Sequence, residues 1–561
     1  MRASRFVMVA PVIVMIVLLR AAPAELSAQG SAALSGVVSS QAEGKMEGVL
    51  VTVRRDGANF TTTVVSDAQG RYSFPRTHVE PGKYALTIRA VGYDLVDPAP
   101  VEVAAGKARS LDLKLEKTRD LPSQLTSLDW AMAMPGTQDQ KDKFVRQGAS
   151  CNYCHSFQRI AKSKHSAEEF GPVIRRMKSY YPDGTASSDD RRGWGQKLLK
   201  FGDSFGRPTP NGPSEGRGDN WGSWPIAELA PYLATLNLGD GKTTWAYEPK
   251  ATLTRPTGKA TRVIMTQWDQ PRKETESHDM DVDSKGNVWY GDESHAFIGK
   301  LDTRTNTFTD YPLPPVSAGH LPGTRDVQVD KEDNVWFPMR VDGGASLLTK
   351  FEPKTQKLTT IEGATGQFIA LGPDDKMWMG GAVNPFHRID MKTMKKEATY
   401  EGGGYQVVVS SKGNPYMAGG SQIAGFDVQA NQAKKWPIPT KNALGRRGRM
   451  DSQDRYWFAE YNADKIAMFD TRTEMLQEWP LRQYFTPYAA TVPDKAGYVW
   501  APSNMSDRLA RLDPKTGAVI EYLMPTELDT KKITFDPTAK GITLLMANMR
   551  SARILRVELI D

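Results

Sequence analysis

At 561 residues the chain is too long for a single hydrophobic core, and its 39% hydrophobic and 24% charged residues are ordinary for folded globular protein. A net charge of +7, spread along the chain, lacks the concentrated basic stripe of a nucleic-acid binder, so no nucleic-acid partner is expected. Two cysteines in the whole chain argue against a disulfide framework.

Residues 1–28 have the layout of a secretory signal. Arg2 and Arg5 precede an apolar run from Phe6 to Leu19, and cleavage fits after Ala24 or Ala28. Fourteen residues are few for a bilayer span, so a periplasmic or secreted protein with no membrane span after cleavage is expected. The alternative is an uncleaved anchor held by Arg20. From 31 to 117 the pattern alternates with period two, as in Val49 to Val53 and Tyr84 to Ile88, between turn residues. The stretches "GVLVTVRRDG", "SDAQGRYSFPRTHVEPGKYALTIRAVGYD" and "LDLKLEK" resemble the carboxypeptidase regulatory-like domain. That resemblance implies a transthyretin-like β-sandwich and carries little functional information.

Residues 119–240 turn helical and hold "GASCNYCHSFQ". Cys151 and Cys154, the only cysteines, stand three apart directly before His155, the spacing of c-type haem attachment. One covalent haem c is expected, with His155 as an axial iron ligand. A disulfide, a thioredoxin-like pair and half a zinc site are the alternatives; the second lacks a βαβ setting and the third lacks further cysteines. Met177, the only methionine between His155 and Leu238, is the expected second axial ligand, with His165 or an open iron as competitors. Ser166 and Glu169 form a capping box ahead of it, and Phe170, Ile174 and Met177 also fit a buried helix face. Ile226, Leu229, Leu233 and Leu236 mark a closing amphipathic helix, so a small all-α cytochrome c domain is expected.

From 250 to 561 the chain repeats itself seven times. The units begin at His278, Arg325, Gln367, Tyr405, Arg446, Ala489 and Lys532, and their aromatic anchors Trp289, Trp336, Trp378, Tyr416, Trp457 and Trp500 fall 38 to 47 residues apart. That period is one four-stranded propeller blade. An orphan strand, "RVIMTQW", precedes the first unit and the last stops after "SARILRVELI", so pairing the two closes a seven-bladed ring. The expected fold class is therefore multidomain and mainly β.

The repeat, with elements such as "DNVW" and "WFAE", resembles the virginiamycin B lyase (streptogramin lyase) family. The resemblance implies a seven-bladed propeller that opens a depsipeptide by elimination, using histidine, glutamate and Mg2+ near the channel. Glu276-Ser277-His278 matches the start of its chemical blade, and Asp292 stands where a second glutamate is expected. Glu460 is retained in the fifth unit, but Arg446 takes the histidine position there. On the resemblance His278 and Glu460 are candidate catalytic residues. A polar pocket of His278, Asp292, Arg325, Arg446 and Glu460, with Glu276 beside it, is expected at one channel mouth; hydrogen bonding between blades is the alternative for the same residues. Arg325 and Arg446 oppose a bound divalent cation and suit an anionic ligand. Two functions follow: an exported c-type cytochrome in electron transfer, whose propeller binds a redox partner or small-molecule substrate, or a lyase with an accessory haem domain.

Overall fold

The structure, a computed structural model, describes residues 32–97, 99–147, 152, 155–180, 220–221, 224–237, 245, 247–273, 275–293, 295–314, 323–341, 346–381 and 384–560. The signal segment, Cys151, Cys154 and His320 lie outside these residues, as does the side chain of Met177.

The N-terminal sandwich has two sheets. Ala32–Ser40 pairs with Arg71–Pro75 and Leu113–Lys117, while Leu50–Arg55 lies between Phe60–Val65 and Gly82–Arg89. Inward residues such as Leu34, Val51, Phe74 and Leu86 form its core, as alternation requires.

Five four-stranded antiparallel sheets follow one another from Met280–Val282 to Met475–Pro480. A sixth, three-stranded sheet begins at Val499–Pro502, and a bridge from Pro487 to Ser503 marks its inner edge. The repeated aspartate explains the sequence repeat. Asp283 Oδ1 accepts from the amides of Lys285 and Asn287, closing the turn, and Oδ2 accepts from Trp289 Nε1 at 3.1 Å. Asp330, Asp451 and Asp494 hold Trp336, Trp457 and Trp500 in the same way. In the third blade Gly372 replaces the aspartate, and the buried Trp378 Nε1 has no hydrogen-bond partner among the described residues. One side chain thus fixes both the turn and the indole that fills the space between blades.

The last sheet closes the ring. Val263–Asp269 pairs antiparallel with Arg553–Leu559, completing Ile533–Phe535 and Thr543–Asn548. Its outer edge does not end there: Val263–Asp269 also pairs with Phe60–Val65, so an eight-stranded sheet runs from the last blade into the sandwich. Arg54 with Asp269 at 2.6 Å and Arg89 with Asp507 at 2.6 Å add ion pairs across this seam. The sandwich therefore covers the outer edge of this blade, pairing backbone groups that would otherwise face water.

The helical segment packs Leu128, Trp130, Phe144, Phe157, Phe170, Ile174 and the buried face of Ile226–Leu236 into one core. Ser166 and Glu169 exchange the two expected capping bonds. Tyr484 and Met505 of the propeller belong to the same core. Among the described residues no helix is long and apolar enough to cross a membrane.

Candidate functional site

Two sets of polar residues meet where the helical segment rests on the propeller. The first surrounds His155. Its Nδ1 lies 3.0 Å from the carbonyl oxygen of Ser156, and burial, with Arg159 and Arg550 nearby, pulls the imidazole down to about 4. A neutral ring whose Nδ1 donates to a carbonyl would have Nε2 left to coordinate a metal, the usual second-sphere arrangement of a metal-binding histidine. His155 lines a cavity of about 460 Å³ together with Arg159, Lys162, Glu527 and Arg550. These features fit an axial ligand of haem iron.

Asn152, between the two cysteines in sequence, ties this region to the propeller. Its side-chain amide donates to the carbonyl of Asn504, its Oδ1 accepts from Ser127 Oγ at 2.6 Å, and its own carbonyl accepts from Arg550 Nη2 at 2.5 Å. Further along the same contact, Leu128 N–H donates to Met505 O at 2.7 Å and Arg146 pairs with Asp464 at 3.0 Å. All the propeller partners lie in loops or turns of its last three blades, so the helical segment sits over one face of the ring.

The second set lines the channel. Met280 pairs with Tyr290 as Ile533 pairs with Met546, which makes Lys531, not Lys532, the counterpart of His278 in the last blade. The first layer of inner-strand residues is then His278, Arg325, Gln367, Tyr405, Arg446, Ala489 and Lys531. The residues one step on include Asp279, Asp326, Arg447 and Lys532, which form a second, fully buried layer. Arg447 Nη2 lies 2.6 Å from Asp279 and 3.4 Å from Asp326, and Lys532 Nζ lies 3.8 Å from Asp326. Burial and the neighbouring Asp279 push the Asp326 carboxyl up to about 6 against the pull of Arg447 and Lys532.

His278 is completely buried, with Nδ1 3.0 Å from Asp279 Oδ1 and no hydrogen-bond partner at Nε2 among the described residues. Burial holds its pKa well below the ordinary value, helped by Arg325, Arg447 and Lys531 and opposed by Glu293. The ring is a neutral base oriented by a carboxylate. Arg325 reaches Glu293 and, at 2.7 Å, Gln367. Burial raises the Glu293 carboxyl, but the guanidiniums of Arg325 and Arg340 outweigh it and bring it down to about 2. Arg446 stacks over Tyr405 at 4.6 Å and over Tyr461 and Tyr488 at 5.5 Å each, and Lys531 lies 4.4 Å over Tyr488.

His278, Arg325 and Arg446 therefore share the channel, but the pocket drawn from sequence needs correction. Asp292 turns away: it accepts from the amides of Glu276 and His295 and pairs with His295 at 3.0 Å and Arg272 at 3.6 Å. Glu276 is buried, and its main chain brackets Asp292 and Glu293. Glu460 lies beside Lys465 and Glu478, and burial with the Glu478 charge pushes its carboxyl up to about 8. Side chains alternate along a strand, so these two carboxylates fall on the side facing the next blade, while Glu293 and Tyr461, one residue later, face the channel. Glu293 has no distinguishing signal of its own beyond that alternation. His387 is buried, with Nδ1 3.0 Å from Thr399 Oγ1. Among the described residues no group of three or more histidine, cysteine, aspartate or glutamate side chains is arranged to hold a metal ion.

Residues 33–116 match the carboxypeptidase regulatory-like domain family. No curated protein matches the chain. Among solved structures, the chain is similar to virginiamycin B lyase from Staphylococcus aureus, at 18% identity and a TM-score of 0.46 over 53% of this chain and 100% of that one. It is similar to a streptogramin B lyase at 15% identity and a TM-score of 0.46, over 54% of this chain and 100% of that one. Kuenenia stuttgartiensis hydrazine synthase matches at 14% identity and a TM-score of 0.41, over 52% of this chain and 97% of that one.

Proposed function

We propose that the chain is an exported c-type cytochrome whose haem region caps a ligand-binding propeller channel, so that electrons pass between a haem and a small molecule or partner bound at that mouth. The observation that supports this reading most is the position of Asn152 and His155, the two described residues of the Cys-x-x-Cys-His motif. Asn152 is clamped by Asn504 and Arg550, and His155 stands one cavity away from the residues that end the last blade. Cys151 and Cys154 hold the haem covalently, and His155 and Met177 are its axial ligands. The haem supplies one-electron chemistry when bound. The chain's own residues orient the histidine ring and place cationic and aromatic side chains in the channel. Mg2+ has no support in the arrangement of Asp292 and Glu460, and the cationic first layer suits an anionic ligand.

The test is spectroscopic. Oxidised mature protein should show the weak absorption near the red end of the visible range that accompanies thioether ligation. Met177→Ala should abolish it and lower the reduction potential. Absence of the band in the unaltered protein points to His165 or an open iron.

A lyase reading is favoured by one observation, the buried His278 with Nε2 open and Asp279 behind it. Such a base serves proton abstraction. It predicts depsipeptide opening that disappears in His278→Ala. Turnover by the full-length protein that is lost in that variant would put the lyase first; the cytochrome reading expects feeble turnover or none.

A further inference from the structure

We propose that Arg550, a propeller residue, binds a propionate of the haem, so that the haem site is built by two domains. The inference rests on the cytochrome reading above and assigns one more contact to the same group.

Arg550 follows the strand Thr543–Asn548 and is 6% exposed. One arm of its guanidinium, Nη2, donates to Asn152 O at 2.5 Å, and Nη1 lies 3.7 Å from Glu527. Its Nε, also buried, has no acceptor among the described residues. A buried donor left without a partner costs about 1–3 kcal/mol, so this guanidinium has a donor to spare for a ligand's acceptor. The cavity that Arg550 shares with His155 has Arg159, Lys162 and Glu527 in its lining, and Lys162 also pairs with Asp120 at 3.5 Å. Among the described residues the cations outnumber the acids, which suits a ligand carrying negative charge. A haem ligated by His155 brings two carboxylates on flexible arms, and arginine, with its planar fork, is the side chain best suited to hold one.

A diffusible carboxylic acid has the same recognition chemistry, and the haem propionate is favoured because the cavity is walled by the axial histidine itself. The reduction potential of the haem reports the contact directly. A fixed cation beside the haem disfavours the oxidised, more positive state. Removing it lowers the reduction potential, and removing a fixed anion raises it.

The experiment measures the reduction potential and covalent haem content of the full-length mature protein and of Arg550→Ala, Arg550→Lys and Glu527→Gln. Arg550→Ala should shift the electron-transfer equilibrium by roughly tenfold toward oxidation, about 59 mV downward for one electron. Arg550→Lys should recover most of that shift, and Glu527→Gln should move the potential upward. Loosening of the domain contact would expose the haem to water and lower the potential in every variant, so a downward shift in Glu527→Gln counts against the proposal. Haem-loaded Arg550→Ala with an unchanged potential overturns it and leaves Arg550 as a clamp on Asn152 or a site for a diffusible acid. If the unaltered protein holds no covalent haem, the cytochrome reading itself fails, an outcome separate from any of these.

Discussion

Cys151→Ala, and equally Cys154→Ala, should leave the mature protein with little or none of the haem colour that survives acid–acetone extraction. Each cysteine forms its thioether by adding Sγ–H across a vinyl group of the porphyrin, so each substitution deletes one bond and mispositions the other. The chain has no other cysteine to substitute. The propeller should be untouched, because its contacts with this region among the described residues run through Asn152, Leu128 and Arg146. The measurement is the haem absorbance of the washed pellet after extraction, beside the thermal unfolding of the same samples. Colour that extracts completely from the unaltered protein removes the haem assignment. Retention in both single variants would show that one thioether is enough to hold the haem, and retention in the double variant would remove both cysteines from the attachment.

The ring was legible in the sequence because one aspartate does two jobs in each unit. Asp283, Asp330, Asp451 and Asp494 each close a turn and hold an indole, so selection for either role leaves the same six-residue spacing to tryptophan. The closing strand was legible for a related reason: a lone strand before the first unit and a missing one in the last have a single solution. The channel was read less well. The last unit, which has no aromatic anchor, reads from sequence as starting at Lys532, and strand pairing moves its start to Lys531. That step matters because Lys531 and Lys532 belong to different layers. Asp292 and Glu460 were placed in the channel by their spacing from the inner strand, and the alternation at the strand end gives Glu293 and Tyr461 that position instead. Contacts between domains left no local pattern at all. Nothing in "FTTTVV" announces that it pairs with "VIMTQWD", because an edge strand looks the same whether water or another strand lies beside it.

Arg447→Ala should destabilise the propeller by about 3–5 kcal/mol at neutral pH, the cost of leaving buried charge without its partner. Arg447 is 1% exposed, bridges Asp279 of the first blade and Asp326 of the second, and packs 4.7 Å over the ring of Phe368 in the third. One side chain from the fifth blade thus links three others across the axis. Without it the two carboxylates face one another with Lys532 as the nearest remaining cation, 3.8 Å from Asp326. The pH dependence identifies the cause. Burial and Asp279 already raise Asp326 to about 6 in the folded protein, and loss of the arginine raises it further. A carboxyl raised on folding contributes stability that is fully present below its unfolded value and lost as pH rises through the folded one. The penalty of Arg447→Ala should therefore be larger at pH 8 than at pH 5, where Asp326 is protonated in both proteins. Adding Asp326→Asn to Arg447→Ala should recover a large part of the loss at pH 8 and little at pH 5, a coupling that denaturant titrations of the two single variants and the double variant measure directly. An equal penalty at both pH values, with no recovery in the double variant, would mean that Arg447 stabilises the ring through its stack on Phe368 and not through charge.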